Sequence, residues 1–286
     1  MAFTKKLLTY TISLVSGGGQ AANLSGLRSS CRIIAASGPS MGHASVAIFG
    51  MTLSQMNQYS TIGRQFNYVN KNTLTIMAGD TNGQSLIFTG TIISAYVEAS
   101  AMPEVAFRIE AVAGGFESVI PSMVTSVQGA ADVATTMGQI AMAMGLQFEN
   151  NGVMAKVQNP YLSGSYREQA KELADQAGIQ WVIEKGILAI WPTGMSRSGG
   201  GTAFSPQTGM VGYPAFDQAN VIITSIFVPN LIIGGMFTVK SSLTPANGSW
   251  IIIRIDYDLE SITPYGRWFV IVQGCLPGMQ PPGEQQ

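Results

Sequence analysis

The sequence predicts an α+β fold, mostly β, with two small barrel-like β-domains flanking or enclosing a duplicated helix–β-hairpin (αββ-αββ) middle domain. Three observations predict it. First, Gly145-Leu-Gln-Phe-Glu-Asn-Asn-Gly-Val-Met is answered by Gly178-Ile-Gln-Trp-Val-Ile-Glu-Lys-Gly-Ile-Leu. Each copy follows an amphipathic helical stretch that stops at its glycine, and self-similarity of this kind marks a repeated unit. Second, β-branched runs separated by Asn-Gly and other turn residues fill the chain on both sides of that pair. Third, the ends of the two flanking blocks mirror each other. Leu74-Thr-Ile-Met, Asn82-Gly83 and Tyr96-Val-Glu correspond to Phe237-Thr-Val-Lys, Asn247-Gly248 and Asp258-Leu-Glu, and Pro103-Glu-Val-Ala-Phe-Arg-Ile-Glu parallels Pro264-Tyr-Gly-Arg-Trp-Phe-Val-Ile.

In chain order, Leu7 to Val15 reads as a strand and 16–26 as a flexible Gly-rich loop. Cys31 to Ala36 and Ala44 to Phe49 are strands around a long turn. Met51 to Ile62 is helical, with Leu53, Met56 and Tyr59 as its apolar stripe, Thr52 or Ser54 as cap and Gly63 as stop. Leu74 to Ala78 and Ser85 to Val97 form a hairpin across Asn82-Gly83, where both residues can take positive φ. Gly90 marks a bend or bulge in the longer strand, and Val105 to Ala113 closes the set.

Pro121 opens the helical section. Ser126 is the expected cap of a helix whose stripe is Val133, Met137, Ile140, Ala141 and Met144. Leu146 to Glu149 and Val153 to Val157 read as a hairpin across Asn151-Gly152. Ser165 and Glu168 form a capping box for the second helix, followed by a second hairpin, Gln180 to Ile183 with Gly186 to Trp191. Both helices are expected on one face of a four-stranded layer, with Phe148 and Trp181 equivalent. Pro192 to Gln207 reads as an exposed Gly/Ser-rich loop. It lacks the Lys-Ser/Thr ending and following helix that a phosphate cradle needs. Val221 to Val228, Gly235 to Ser241, Ser249 to Leu259 and Arg267 to Gln273 are strands, with Asn247-Gly248 as a hairpin turn. The expected organisation is a first tube-type barrel at 1–118, the middle domain at 122–192, a linker or loop at 193–207, a second barrel at 208–276 that can draw on a strand from 105–118, and a tail at 277–286.

Composition bounds the function. The chain has 286 residues, 46% apolar and only 11% charged, well below the usual quarter. Two readings stand: a surface largely covered by partner subunits, or a neutral Ser/Thr/Asn/Gly surface, which the 33 glycines also fit. Fifteen basic residues balance sixteen acidic ones, so specific nucleic-acid binding has no electrostatic footprint. No apolar run approaches the ~20 residues of a transmembrane helix.

No residue set carries catalysis, a cofactor or a metal. Cys31 and Cys275 read as two free buried thiols. His43, the single histidine, reads as a loop residue and cannot alone build a triad or a His-rich metal site. Met137, Met142 and Met144 could serve a soft metal but read as core. Asp256, Asp258 and Glu260 alternate on one strand, as an acid/base site or as a solvated or subunit-facing edge. Trp181, Tyr161 and Trp191 could stack on sugars, with core packing the expected fate of two of them.

Further motifs carry a family resemblance: Ala44-Ser-Val-Ala-Ile-Phe-Gly-Met-Thr-Leu-Ser-Gln-Met-Asn-Gln, Phe88-Thr-Gly-Thr-Ile, Asn159-Pro-Tyr-Leu-Ser-Gly, Gly209-Met-Val-Gly-Tyr-Pro, Val239-Lys-Ser-Ser-Leu-Thr-Pro-Ala-Asn-Gly-Ser-Trp and Leu259-Glu-Ser. Together with the Pro103 motif, they resemble the baseplate hub proteins of tailed bacteriophages over nearly the whole chain. The resemblance implies a non-enzymatic virion protein of the phage tail baseplate, assembled in the host cytoplasm. It implies a homotrimer whose paired barrels form a pseudo-sixfold ring, a symmetry adaptor joining the hexameric tail tube protein to the trimeric central spike protein. Other baseplate or tape-measure proteins are further implied partners. The middle domain resembles peptidoglycan-binding modules, so the alternative is a glycan- or peptidoglycan-binding module of a tail or secretion-type assembly. Some larger relatives carry lytic modules, of which this sequence shows none.

Overall fold

The computed structural model describes residues 5–14, 21–38, 40–61, 72–119 and 122–279. Several expectations fall outside them: the first part of the 16–26 loop, the helix end at Ile62 with its Gly63 stop, Pro121, and 280–286 of the expected tail. The fold is α+β and mostly β, as the patterning predicts.

The first half contains β1 (Leu7–Ser13), β2 (Ala21–Ser25), β3 (Ser29–Ala36), β4 (His43–Phe49), α1 (Leu53–Tyr59), β5 (Thr73–Gly79), β6 (Gln84–Ala101) and β7 (Glu104–Val112). Residues 21–25, expected as loop, instead pair antiparallel with β1. α1 is a single capped unit: Thr52 and Gln55 satisfy each other's backbone in a capping box. Of its expected stripe only Met56 is buried, Leu53 points to solvent, and Ser60 rather than Gly63 ends the helix. The β5–β6 hairpin forms at the expected place but by another device. The Asp80 carboxylate accepts the amides of Asn82 and Gly83 at 2.7 and 3.2 Å, an Asx turn that needs no positive φ at Asn-Gly. Gly90 is in register with Leu74, and the bulges lie to either side, at Ile76/Met77 and Ile92/Ser94. The glycine serves close approach: a Cβ there would stand 2.6 Å from the Val112 carbonyl oxygen and from Phe88.

The middle section holds β8 (Thr125–Ser126), β9 (Ala130–Asp132), α2 (Val133–Met144), β10 (Gln147–Asn150), β11 (Lys156–Gln158), β12 (Tyr161–Leu162), α3 (Tyr166–Ala177), β13 (Ile179–Glu184) and β14 (Ile187–Pro192). Ser126 lies in β8; the cap of α2 is Asp132, whose carboxylate accepts the Thr135 amide at 2.8 Å. α3 carries the predicted Ser165–Glu168 capping box. Gly145 and Gly178 end the helices at φ 72° and 64°, the left-handed cap glycine favours. The second hairpin, β13–β14, turns at Lys185-Gly186, both at positive φ.

The first hairpin does not form. Asn150 closes the 150–153 turn with its side chain, bonding the Val153 amide at 2.8 Å and carbonyl at 3.1 Å. The chain then leaves the sheet. β10 instead pairs parallel with β14, and β11 pairs with β9. The layer therefore has three strands, β10-β14-β13, rather than four. The two helices pack on each other and on this sheet around Val133, Met137, Ile140, Leu173, Leu188 and Ile190.

The last section contains β15 (Arg197–Phe204), β16 (Ala215–Asp217), β17 (Asn220–Ile226), β18 (Gly235–Val239), β19 (Gly248–Ser261) and β20 (Trp268–Cys275). The expected loop at 193–207 is largely strand β15, parallel to β18. Its glycines are there for proximity: a Cβ on Gly200 would collide with the Met236 backbone, and Gly199 and Gly201 sit at φ 93° and 135° around a bulge. Asn247-Gly248 is not a two-residue turn. Val239 pairs with Gly248 across an eight-residue loop, and the Asn247 side chain bonds the Ser241 amide and carbonyl at 2.6 and 2.9 Å.

The two β sections repeat one connectivity. In the first, the sheet runs β1-β5-β6-β7-β4-β3; in the last, β15-β18-β19-β20-β17-β16. Apart from β2, which lies beyond β1 and has no counterpart, the strands take the same places in the same chain order. One difference is that β1 meets β5 antiparallel whereas β15 meets β18 parallel. The halves join where β3 pairs with β19 over Ser29 to Ala36, making one sheet of thirteen strands. β7, the strand expected to be shared, stays between β4 and β6. β1 also approaches the far end of β19, where the Ser261 hydroxyl donates to the Lys6 carbonyl at 3.0 Å, so the first half curls toward closure. One apolar core runs through both halves, from Tyr10, Ile33 and Phe107 to Phe237, Tyr257 and Val270.

Candidate assembly surface

The residues singled out in the sequence do not converge. Asp256, Asp258 and Glu260 lie on the outer face of β19, alternating with the buried Ile255, Tyr257 and Leu259. Each is ion-paired: Asp256 with Arg254 at 2.9 Å, and Asp258 and Glu260 with Arg267 at 3.1 and 2.9 Å. The Arg267 backbone amide, with its guanidinium, holds the Glu260 carboxyl below the usual glutamate value. Glu260 also lines an open depression of about 460 Å³ with Lys5, Lys6, Pro264 and Tyr265, while neither Asp256 nor Asp258 lines it.

His43 is the first residue of β4, not a loop residue, because its backbone pairs with Ile34 of β3 and Val112 of β7. Its Nε2 lies 3.0 Å from Glu110, which also accepts the Ser45 hydroxyl at 2.7 Å. Burial would raise the Glu110 carboxyl, but His43 and Ser45 more than offset it and hold it low. Cys31 and Cys275 are free and buried, as expected, and burial pushes both thiols up. Met137 and Met144 are core while Met142 faces solvent, so their sulfurs do not share a site. Trp181 and Trp191 are both 3% exposed. Arg167 and Arg197 stack over them, at 5.2 and 5.8 Å from the ring centroids. Tyr161 is exposed alone. No aromatic platform faces solvent from these three.

Sequence reasoning misses the charged centre of the molecule. Arg197, on β15, is buried between the middle section and the last one. Its guanidinium meets Glu184 of β13 at 2.5 Å and Glu149 of β10 at 3.0 Å, and donates to the Ile233 carbonyl at 2.9 Å. Glu184 accepts the Ile233 amide, and Lys185 donates to the Leu231 carbonyl at 2.7 Å. The one signal in the sequence is that Arg197 is the only charged residue between Pro192 and Gln207. Burial alone would raise the Glu149 carboxyl; Arg197 and Asn151 more than offset it and hold it low. A carboxylate depressed in the fold stabilises above its unfolded value and loses that contribution as pH falls through the folded value. The unfolding midpoint is therefore expected to be flat above about pH 5 and to drop below the ordinary glutamate value of about 4.3. Denaturant titration from pH 7 to 3 checks this, and the slope shrinks in a Glu149→Gln variant.

Several large apolar side chains are exposed on the sheet and its loops. Ile226, Phe269 and Ile271 stand together on the outer face of β17 and β20, and Tyr265 is fully exposed at the β19–β20 turn. Tyr265 and Ile262 both hold positive φ, an uncommon conformation for bulky residues. Among the described residues no helix is long and apolar enough to cross a membrane.

A family model described as Baseplate hub gp41 matches residues 7–271. The chain belongs to the baseplate hub gp41 family. Known structures share the fold of this hub-family chain. It is similar to the 43 kDa tail protein of prophage MuSo2 from Shewanella oneidensis, with TM-score 0.63, 11% identity, and 94% of this chain and 98% of that one covered. It is equally similar to a tail protein of Neisseria meningitidis MC58, with TM-score 0.63, 10% identity and coverage of 96% and 98%. A third is an Escherichia coli component of the type VI secretion system, described as structurally similar to T4 tail proteins gp27 and gp5, with TM-score 0.60, 11% identity and coverage of 89% and 76%. At these identities the likeness is one of fold. Among curated proteins none matches the chain in sequence. Membership of the hub family makes this a structural component of a phage tail.

Proposed function

We propose that three copies of this hub-family chain close into a ring that joins a hexameric tail tube to a trimeric central spike. The observation that carries this reading is the repeated connectivity, β1-β5-β6-β7-β4-β3 and β15-β18-β19-β20-β17-β16. Two like β units per chain become six in a trimer, which offers near-sixfold contacts on one side and threefold contacts on the other. Residues 1–118 and the β section after the middle domain supply those units, with β15 belonging to the second. The middle domain, 122–192, sits against the second unit through Arg197. The role is structural rather than enzymatic, within the virion baseplate, on an assembly formed in the host cytoplasm. In a C3 ring each contact is heterologous and closes on itself.

Light scattering on the purified chain, alone and with tail tube protein, tests this. The expected mass is three chains. A chain that stays monomeric at high concentration and with tube protein present overturns the ring.

A further inference from the structure

The joint between the two β units of one chain is spanned by a third body. β3 and β19 pair antiparallel from Ala36 with Arg254 at one end to Ser29 with Ser261 at the other. Two bodies that share one strand pair can splay about it, and relative motion is the default unless the contact between domains is large and apolar. At the Ser29 end a small contact backs the joint: Ser261 bonds the Lys6 carbonyl, and the Lys6 ammonium donates to the Gly266 carbonyl at 3.0 Å. At the Ala36 end the middle domain lies across it.

The middle domain holds both units at once. Toward the first, the Trp181 carbonyl accepts the Gly38 amide at 3.3 Å, just past the end of β3. α3 packs against the short 3-10 turn Phe116–Ser118. Arg167 and Ile183 close on Gly114, where a Cβ would stand 2.9 and 3.3 Å from them, and the buried Glu117 faces Arg167 with the opposite charge. Toward the second unit, Glu184 and Glu149 hold Arg197, and Asn151 accepts the Ser198 amide at 3.0 Å. The Trp191 ring lies against Gly234, 2.7 Å from where a Cβ would stand. Between these anchors Val182, Ala189 and Trp191 enter the apolar core common to both halves.

We infer that the middle domain is a strap that fixes the angle between the two β units of its own chain, with the Lys6 end of the joint as the pivot. The strap itself needs no ring; its effect on assembly rests on the trimer reading. Six units close only if each junction turns by about 60°, so a chain free to splay closes poorly.

The test uses the full chain with spin labels at Thr81→Cys and Ser242→Cys. Both sites are exposed and lie in equivalent turns, β5–β6 and β18–β19, at the strapped end of the joint. Cys31 and Cys275 are buried and stay unlabelled. Labelled chain is mixed with excess unlabelled chain, so that pulsed electron resonance reads distances within one copy. Arg167→Ala with Glu117→Gln loosens the first-unit side without stranding a charge, and Arg197→Lys loosens the other side. Each is expected to broaden the distance distribution about twofold and to lower the share of chain in trimers several-fold by light scattering. Unchanged width in both overturns the strap, whether or not trimers form. Broadening with trimers undiminished overturns its part in ring closure. Broadening in a chain that never forms trimers keeps the strap and overturns the ring. Hydrogen exchange on the unmodified protein needs no variant: the Gly38 amide is expected to exchange within about a hundredfold of the Ile33 amide in the joint. Faster exchange at Gly38 than that shows a loose strap and overturns the inference.

Discussion

Replacing Arg197 with methionine is expected to destabilise the fold by about 3–5 kcal/mol, because breaking a buried ion pair from one side strands the other. The guanidinium is 2% exposed and Glu184 is 9% exposed, so Glu184 would keep its charge away from water with the Ile233 amide and the Lys185 charge to answer it. Glu149, one-third exposed, turns to solvent and contributes less. Lysine at 197 carries the charge but not the fork that reaches Glu149, Glu184 and the Ile233 carbonyl together, so Arg197→Lys falls between. Urea midpoints of the three proteins measure this. If Arg197→Met moves the midpoint by under 1 kcal/mol, the cluster does not hold the middle domain in place. Adding Glu184→Gln to Arg197→Met is expected to restore part of the loss, since the stranded charge is then gone.

Gly90→Ala is the second large effect expected. A single methyl group is added, and ordinary overpacking costs about 1–3 kcal/mol. Here the obstacle is the Val112 carbonyl, 2.6 Å from the new Cβ, and backbone does not move aside as a side-chain end does. The Thr91–Val112 pairing beside it has to open. The variant is expected at or above the top of that range, with faster amide exchange at 109–112 than at 251–259. Alanine tolerated within 0.5 kcal/mol would show that β6 and β7 can slide apart there.

Elements with strong periodicity are legible from the residues. The capping box at Ser165, the helix stops at Gly145 and Gly178, the Lys185-Gly186 hairpin and the four strands after residue 220 follow from local chemistry alone. The failures are of pairing. Asn151-Gly152 reads as a hairpin turn, but Asn150 closes that turn through its side chain and β10 takes its partner from forty residues away. The stretch Ser198-Gly-Gly-Gly-Thr is poor in strand-forming residues; Gly200 is needed because the Met236 backbone lies against it, and Gly199 and Gly201 hold positive φ. Propensity cannot report a close approach from a distant segment. The Arg197 cluster is hidden for the same reason: its three partners come from β10, β13 and the 231–233 loop, and only folding assembles them. The aromatic residues are legible in part, as the burial of Trp181 and Trp191 with Tyr161 exposed agrees with the core expectation.

The pairing of β3 with β19 has a consequence for synthesis. Residues 29–36 emerge from the ribosome more than 200 residues before their partners at 254–261. Until then one edge of β3 is bare and the first half lacks the strand toward which it curls. Domains ordinarily fold in turn during translation, but this pairing delays the first unit's closure until β19 arrives. Chains translated side by side on one message offer each other that same missing strand. A chain truncated before residue 248 is therefore expected to aggregate rather than yield a folded first half.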